Sequence, residues 1–501
     1  MSNIVSELDH LFYPKNVAIF GASNKIKIGT MGLLTLIAGG FKGEIYPIHP
    51  REDNIMGLTA YHKLREAPKG VDLAIISVPA KNVPEVIEEC VDAGVGACVI
   101  FSSNFSEVGE EGKRLEEEVL RIARRGKIRF VGPNCMGITN MDTNLCALMN
   151  FSIPKRGNVS VVSQSGTLGT LSMLNASAKG VGFNKFVSSG NEADLRMEDF
   201  IEYLSQDEGT DVIFAFIEGV RGGRRFLDVS KEATRKKPFI VLKGGVTSSG
   251  SRAARSHTGS MVGSDEIYDA IFRQSGIARA SDESDMIDLI KGFSKSPLPK
   301  GRRVAIYTVG GGFGILAADE CEKNGLDVIK LPEDIIEELN HFLPPFWSHG
   351  NPIDVTASGA AALGGDGSID ERSLKILLES PAIDGIIFMA PTNITSRINR
   401  VMPRISVGDI KEMLSTIIET GMLGGASKDQ AEKIIELKER YDKPMVGVNP
   451  WGESEIEEYR ILEEGGIPLY RSTTQAARVL SKLIEYKEYL DKQKFLSDTK
   501  V

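Results

Sequence analysis

Short apolar runs that end on glycine, serine or proline, each followed by a stretch with helical spacing, recur along most of this chain. Asn16-Val-Ala-Ile-Phe-Gly-Ala-Ser23 is the first, and residues 44–50, 73–79, 97–102 and 129–134 repeat the pattern. Runs this short and this continuously apolar are strands buried on both faces. The amphipathic stretches between them, such as 83–93 and 110–125, are the helices that cover those faces. Parallel strands need such crossovers, and the crossovers are right-handed. The expected fold class is therefore α/β, built from doubly wound domains.

The pattern restarts twice. Ile153-Pro-Lys-Arg-Gly157 reads as a linker into a second block, with strands near 158–162, 183–187, 211–217 and 238–243. Its helices are expected at 167–178, 197–204, 224–234 and 265–275. Lys295-Ser-Pro-Leu-Pro-Lys-Gly301 leads into a third block, with strands from 303 and at 385–390 and 444–449, and a helix at 315–324. The Gly/Ala-rich stretch 357–370 reads as an exposed loop. A last helix at 474–490 runs into a charged tail expected to fray. Three domains follow: 1–152, 153–297 and 298–501.

Composition excludes several classes. A formal charge of −9 leaves no basic footprint, so no nucleic-acid partner is expected. No apolar run reaches the roughly 18 residues of a membrane helix, and the N-terminus lacks a secretory pattern. The five cysteines (90, 98, 135, 146 and 321) form no CxxC pair, so neither a metal site nor a disulfide framework is expected. A reducing cytoplasm fits.

Ligands of open α/β sheets bind at the carboxyl ends of strands. Phe20-Gly-Ala-Ser-Asn-Lys25 is such an end, and its backbone N–H groups with Lys25 or Lys27 suit a phosphate-bearing ligand; a merely tight turn fits it equally. Pro47, Ser77-Val78-Pro79 and Ser102-Ser-Asn104 end neighbouring strands and line the same crevice, unless the prolines simply stop the strands. Val162-Ser-Gln-Ser-Gly-Thr-Leu-Gly169 delivers two hydroxyls and free N–H groups to a helix start. One serine would suffice as an N-cap, so the cluster favours an anion. In Ser189-Gly-Asn-Glu-Ala-Asp194, Glu192 or Asp194 either caps the next helix or orients an imidazole. Gly310-Gly-Gly-Phe-Gly314 resembles a phosphate loop but lacks its Lys-Ser/Thr ending.

Of six histidines, His257 alone stands in a small-residue, basic setting, Arg252-Ala-Ala-Arg-Ser-His-Thr-Gly259. A neutral imidazole there is a competent nucleophile for a phosphoryl group. His10, His49, His62, His341 and His349 read as structural. Cys135 lies among apolar neighbours and reads as a packed thiol.

These segments, in this order over roughly residues 10–480, resemble the α subunit of the NDP-forming (ADP-forming) acyl-CoA synthetases, relatives of succinyl-CoA synthetase. The residues carrying the resemblance are Gly21-Ala-Ser23, Val131-Gly-Pro-Asn-Cys-Met-Gly137, Ser163-Gln-Ser-Gly166, Ser189-Gly-Asn-Glu-Ala-Asp194, Lys243-Gly-Gly and Ser256-His-Thr-Gly259, with Gly310–Gly314 and Asn351-Pro-Ile-Asp354 in the third block. The resemblance implies a Rossmann-like CoA-binding domain, then two flavodoxin-like ligase domains. It implies the reaction acyl-CoA + phosphate + ADP ⇌ carboxylic acid + CoA + ATP, through an acyl phosphate and a phosphoryl group on His257. Glu192 would hydrogen-bond that ring, and Ser163, Gln164, Ser165, Gly166, Thr258 and Gly259 would hold the phosphoryl group. Gly21, Ala22, Ser23, Lys25, Pro47, Val78, Pro79, Ser102 and Asn134 would hold CoA.

Nothing in the chain resembles an ATP-grasp domain. The resemblance therefore assigns ADP/ATP with Mg2+ to a separate β subunit, in an α2β2 heterotetramer. One departure stands out: where the family carries a Gly-Phe pair, this chain has Asn104-Phe105. Two rival readings are a non-catalytic CoA-binding scaffold of the same fold and an NAD-dependent dehydrogenase. The intact Ser-Gln-Ser-Gly, Asn-Glu-Ala-Asp and Ser-His-Thr-Gly set speaks against the first, and the missing dinucleotide fingerprint against the second.

Overall fold

Five of the first seven strands form one fully parallel sheet. They are β1 Asn16–Phe20, β2 Glu44–Ile48, β5 Leu73–Ile76, β6 Ala97–Ile100 and β7 Arg129–Val131, in the order β2-β1-β5-β6-β7; β3 Asn54–Ile55 and β4 Leu58–Thr59 make a small separate hairpin. The computed structural model describes residues 4–252, 264–355, 368–390, 401–419, 428–449 and 457–499. The sheet is buried on both faces, as continuous apolar strands require: Leu73, Ala74, Ile75 and Ile76 are all without solvent exposure. α1 Ile4–Phe12 precedes β1 in the chain, α2 Ile28–Gly39 follows it, and α3 Val83–Asp92 and α4 Glu110–Arg125 alternate with the later strands. α4 starts on Glu110 and Glu111 and ends on Arg124 and Arg125, the arrangement that complements its dipole. The order reverses between β1 and β5, which is where a doubly wound sheet opens a crevice.

The second sheet holds β8 Gly137–Asn140, β9 Leu145–Leu148, β10 Arg156–Ser163, β11 Phe183–Ser188, β12 Val212–Ile217, β13 Phe239–Lys243 and β14 Ala278–Ala280, in the order β14-β13-β12-β10-β11-β8-β9. The β8–β9 hairpin is a difference from the sequence reading. Lying before residue 152, it was grouped with the first block, yet β8 pairs antiparallel with β11 of the second sheet. Its two runs are four residues each and show no alternation, so periodicity had nothing to detect. Packing explains it: Thr35 of α2 exchanges hydrogen bonds with the Leu148 N–H (3.2 Å) and carbonyl (3.1 Å). One apolar cluster runs through both sheets, including Leu33, Leu36, Ile138, Leu145, Val162 and Val187. Residues Met1–Ile290 accordingly form one compact unit.

Residues Lys291–Val501 form a second unit. Its parallel sheet comprises β15 Arg303–Thr308, β16 Asp327–Val328, β17 Ile353–Asp354, β18 Gly385–Met389, β19 Met445–Val448 and β20 Leu469–Tyr470. The order is β16-β15-β18-β19-β20, with β17 also on β15. The helix Gly311–Lys323 begins within the Gly310–Gly314 run. The exposed loop expected at 357–370 lies, up to residue 367, outside the described residues. The last helix spans Thr473–Asp498 and does not stop near 490. Ser472 caps it by accepting from the Gln475 N–H at 3.2 Å. Along its charged end Lys482–Glu485 and Lys487–Asp491 pair at helical spacing, so charge there supports the helix. Within the described residues no helix is long and apolar enough to cross a membrane.

Candidate active site

Each sheet of the first unit delivers a loop from its reversal point to one cavity. At the end of β1, Gly21 takes φ +88°, and a Cβ there would lie 2.1 Å from the Ser77 carbonyl oxygen. At Gly29 in α2 a Cβ would lie 2.5 Å from the Gly21 carbonyl. Strand end and helix start therefore touch backbone to backbone, which only glycine permits. Ser23 closes the turn: its N–H donates to Thr30 Oγ1 (3.1 Å), and that hydroxyl bonds the Ser23 carbonyl (2.9 Å).

In the second sheet the reversal lies between β10 and β12, and Gln164 occupies it. Its Oε1 accepts from the N–H groups of Glu218 (2.6 Å) and Gly219 (3.1 Å), and its Nε2 donates to the Gly219 carbonyl (2.8 Å) and to Glu192 Oε1 (3.2 Å). α5, Gly166–Ala178, starts here with Ser165 as N-cap, its Oγ accepting from the Leu168 N–H at 3.4 Å. Ser163 is fully buried, and its hydroxyl donates to the Ser165 carbonyl at 2.6 Å. The two serines thus divide the work between cap and loop. What faces the cavity is backbone: the Gly166 and Thr167 N–H groups take no partner among the described residues.

Glu192 is 4 % exposed and sits at φ 56°, a left-handed conformation that costs a side-chain residue roughly 1–2 kcal/mol. Ser189 Oγ (2.8 Å) and Gln164 Nε2 both donate to its Oε1. No described residue bonds Oε2. Burial pushes this carboxyl up to about 7, with Glu198 adding to the rise, while the bonds from Ser189 and Gln164 and the charge of Arg221 pull it back. Neither Glu192 nor Asp194 caps the next helix. Asp194 accepts from Arg129 Nε (2.8 Å), and Asp199 closes the helix start by accepting from the Arg196 N–H (2.8 Å). The loop bearing Glu192 rests on the Gly-Pro-Asn-Cys loop: the Asn191 N–H donates to the Pro133 carbonyl (2.9 Å), and Asn134 Nδ2 to Asn191 Oδ1 (3.3 Å).

The Glu192 carboxyl has a consequence for stability. Its folded value lies above the ordinary 4.5, so its contribution is complete below about pH 4.5 and is lost as pH rises to about 7. The loss is of order 3 kcal/mol. Glu192→Gln is expected to remove this slope from urea-unfolding free energies measured between pH 5 and 8. An unchanged slope would mean the carboxylate is solvated in the folded state.

The cavity encloses about 1120 Å3. This is larger than the roughly 300–1,000 Å3 of ordinary small-molecule sites. Gly21, Ser23, Val78, Pro79, Ser102 and Asn134 line it together with Gln164, Ser165, Gly166 and Glu192. Four expected residues do not. Ala22 and Pro47 are buried, Lys25 points outward and Ser163 is enclosed beneath the loop. The cation that lines the cavity is Lys27, and Lys63, His49, His62 and Arg221 join it. His49 and His62 were read as structural from their position near turns. The fold brings both to the rim, where His62 Nδ1 bonds the His49 carbonyl at 3.1 Å. Arg221, after β12, bonds the Asn191 carbonyl at 3.0 Å, and no local signal distinguished it. Cys135 also lines the cavity, but burial lifts its thiol to about 12, so it is a packed group. Asn104 takes φ 74°, which explains how it stands where the family carries glycine: asparagine tolerates the left-handed region better than other side chains. His257, Thr258 and Gly259 lie outside the described residues.

Three family models match the chain in succession: a CoA-binding domain over residues 15–141, a succinyl-CoA ligase-like flavodoxin domain over 156–293 and a ligase-CoA domain over 304–437. The ADP-forming acetate–CoA ligase II subunit alpha of Pyrococcus furiosus is 38 % identical over 480 residues, covering 95 % of this chain and 97 % of that protein. The chain belongs to the α subunits of the ADP-forming acyl-CoA synthetases. As a member of that family it is an ADP-forming acid–thiol ligase chain. The solved dinucleotide-forming acetyl-coenzyme A synthetase 1 of Ca. Korarchaeum cryptofilum, in complex with phosphate and ADP, superposes with a TM-score of 0.82 at 34 % identity, covering 97 % of this chain and 98 % of that one. An ADP-forming acetate–CoA ligase I of Archaeoglobus fulgidus is 35 % identical across 99 % of this chain, which spans 66 % of that longer synthetase.

Proposed function

We infer that this synthetase chain interconverts acyl-CoA, phosphate and ADP with carboxylic acid, CoA and ATP, using His257 as the phosphoryl carrier. The observation that carries this reading is the single cavity joining the Gly21–Ser23 turn to the start of α5 and to Glu192. CoA is held at the first-sheet end, where backbone N–H groups and the cations Lys27 and Lys63 meet its phosphates. Phosphate is held at the Gly166 and Thr167 N–H groups, where the helix dipole favours an anion. Glu192, kept in place through Oε1, offers Oε2 to the His257 ring and stabilises its positive charge after phosphorylation. CoA supplies the thioester chemistry.

The nucleotide belongs to a partner. The Pyrococcus relative is named a subunit alpha, and the longer Archaeoglobus chain has room for more than the portion matched here. A β subunit with an ATP-grasp fold, binding Mg2+ with ADP or ATP in an α2β2 assembly, completes the enzyme in this reading. Acetate and related short acids are its substrates.

Intact-mass analysis of the assembled enzyme given acetyl-CoA and phosphate tests this. One acid-labile, base-stable phosphoryl group on the chain is expected, formed roughly 100-fold more slowly in Glu192→Gln. Glu218 stands at the end of β12 beside Gln164. Normal phosphorylation in Glu192→Gln with a slow Glu218→Gln would transfer the orienting role to Glu218. Assembly with CoA bound and no phosphoryl group would favour the scaffold reading.

A further inference from the structure

The geometry points to Met136 and Met149 as the residues that size the acyl group, and to short, uncharged, unbranched acyl chains as what they accept. This rests on the function just proposed, because it takes the acyl carbon to lie beside the phosphate at the start of α5. Met136 packs against the first residue of that helix and lines the cavity with it. A Cβ built on Gly166 would fall 2.0 Å from Met136 Cγ, so the thioether arm lies directly against the first residue of the helix. Met149 is joined to it, its N–H donating to the Met136 carbonyl at 3.0 Å. The Met136 N–H in turn donates to Ser188 Oγ at 3.0 Å. These bonds hold both backbones at the open end of the β8–β9 hairpin.

Both side chains line the cavity and are only half-buried. Apolar side chains left open inside a ligand cavity gain contact only when a ligand covers them. Phe101, 2 % exposed, also lines the cavity near them: a Cβ on Gly137, which opens the same hairpin, would lie 3.0 Å from its ring. Thioether and ring together form a wall with no charged group. Arg221, the cation that lines the cavity beside Glu192, is engaged with the Asn191 carbonyl. A straight hydrocarbon tail gains from such a wall, by about fourfold in affinity per buried methylene. A terminal carboxylate would face the thioethers without a partner. Methionine is flexible, so the wall yields to small differences in chain length and resists only larger or branched groups.

The test uses the full chain assembled with its nucleotide-binding partner. Values of kcat/KM are measured for acetate, butyrate, phenylacetate and succinate, and affinities for acetyl-, butyryl- and phenylacetyl-CoA are read by calorimetry on the chain itself. Wild type is expected to favour the straight aliphatic acids over succinate. Met136→Ala or Met149→Ala is expected to raise the phenylacetate-to-acetate ratio about tenfold. Met→Leu at each site, which keeps volume, is expected to preserve the wild-type order and guards against a fold defect in the alanine forms. Ratios unchanged within twofold in both alanine variants, with CoA still bound, overturn the proposal, as does a preference for succinate. The calorimetric ratios separate the two readings: if no acid turns over, the proposed function fails, while a changed preference among the thioesters still assigns the wall.

Discussion

His257→Ala is expected to lose the acid-labile phosphoryl group and at least about 10³-fold of turnover, since removing a nucleophile removes the covalent route itself. CoA binding is expected to persist, because Gly21, Ser23, Val78, Pro79 and Ser102 line the first-sheet end of the cavity. The sharpest competitor comes from the structure: His49 and His62 line the same cavity. Three of their four ring nitrogens are already engaged, both of His62 and Nδ1 of His49. His62 Nε2 lies 3.1 Å from Asp53, and His49 Nδ1 accepts from the Glu52 N–H at 3.1 Å. A nucleophilic imidazole needs an uncommitted nitrogen aimed at the phosphate, and the phosphate cradle is at the α5 end. His62→Gln is therefore expected to keep the phosphoryl group. Phosphate retained in His257→Ala and lost in His62→Gln would move the carrier to the rim.

Gly21→Ala is expected to lower CoA affinity by about 100-fold or to unfold the first sheet. Two costs add. The φ of +88° costs an L side chain about 1–2 kcal/mol, and the clash with the Ser77 carbonyl, a backbone atom at the reversal point, costs about 1–3 kcal/mol more. Gly57, in the β3–β4 turn, separates them. Its φ is also +88°, but nothing lies within 4 Å of its Cβ position. Gly57→Ala therefore carries only the conformational cost. Calorimetric titration with CoA and thermal melts of both variants give the comparison. Equal effects in the two would show that the close approach of β1 to β5 does not shape the ligand site.

Much of this architecture was legible because a parallel sheet writes itself into the chain as buried runs with punctuation. The strands ending near Phe20, Ile76, Ile100, Ser163 and Ile217 could be placed within about three residues, and the ligand loops follow from the rule that such sheets bind at their carboxyl ends. The β8–β9 hairpin was not legible, because two four-residue strands take their meaning from α2 and β11, which lie far away in sequence. The choice between the two lysines was not legible for a similar reason. Lys25 and Lys27 are two residues apart in an exposed turn, and only its course decides that Lys27 faces inward.

The division between the two levels is clear at Gln164 and Glu192. The sequence alone determined that a Ser-Gln-Ser-Gly turn would open a helix at the end of a central strand, because strand periodicity, glycine and capping chemistry are local. It also determined that a carboxylate would follow the neighbouring strand. Only the tertiary structure decided that Gln164 ties β10 to the segment after β12, and that Glu192 is enclosed and raised to about 7. Those are long-range outcomes. Gln164 finds its side-chain and backbone partners 28 to 55 residues away, and no local pattern encodes which of them will arrive.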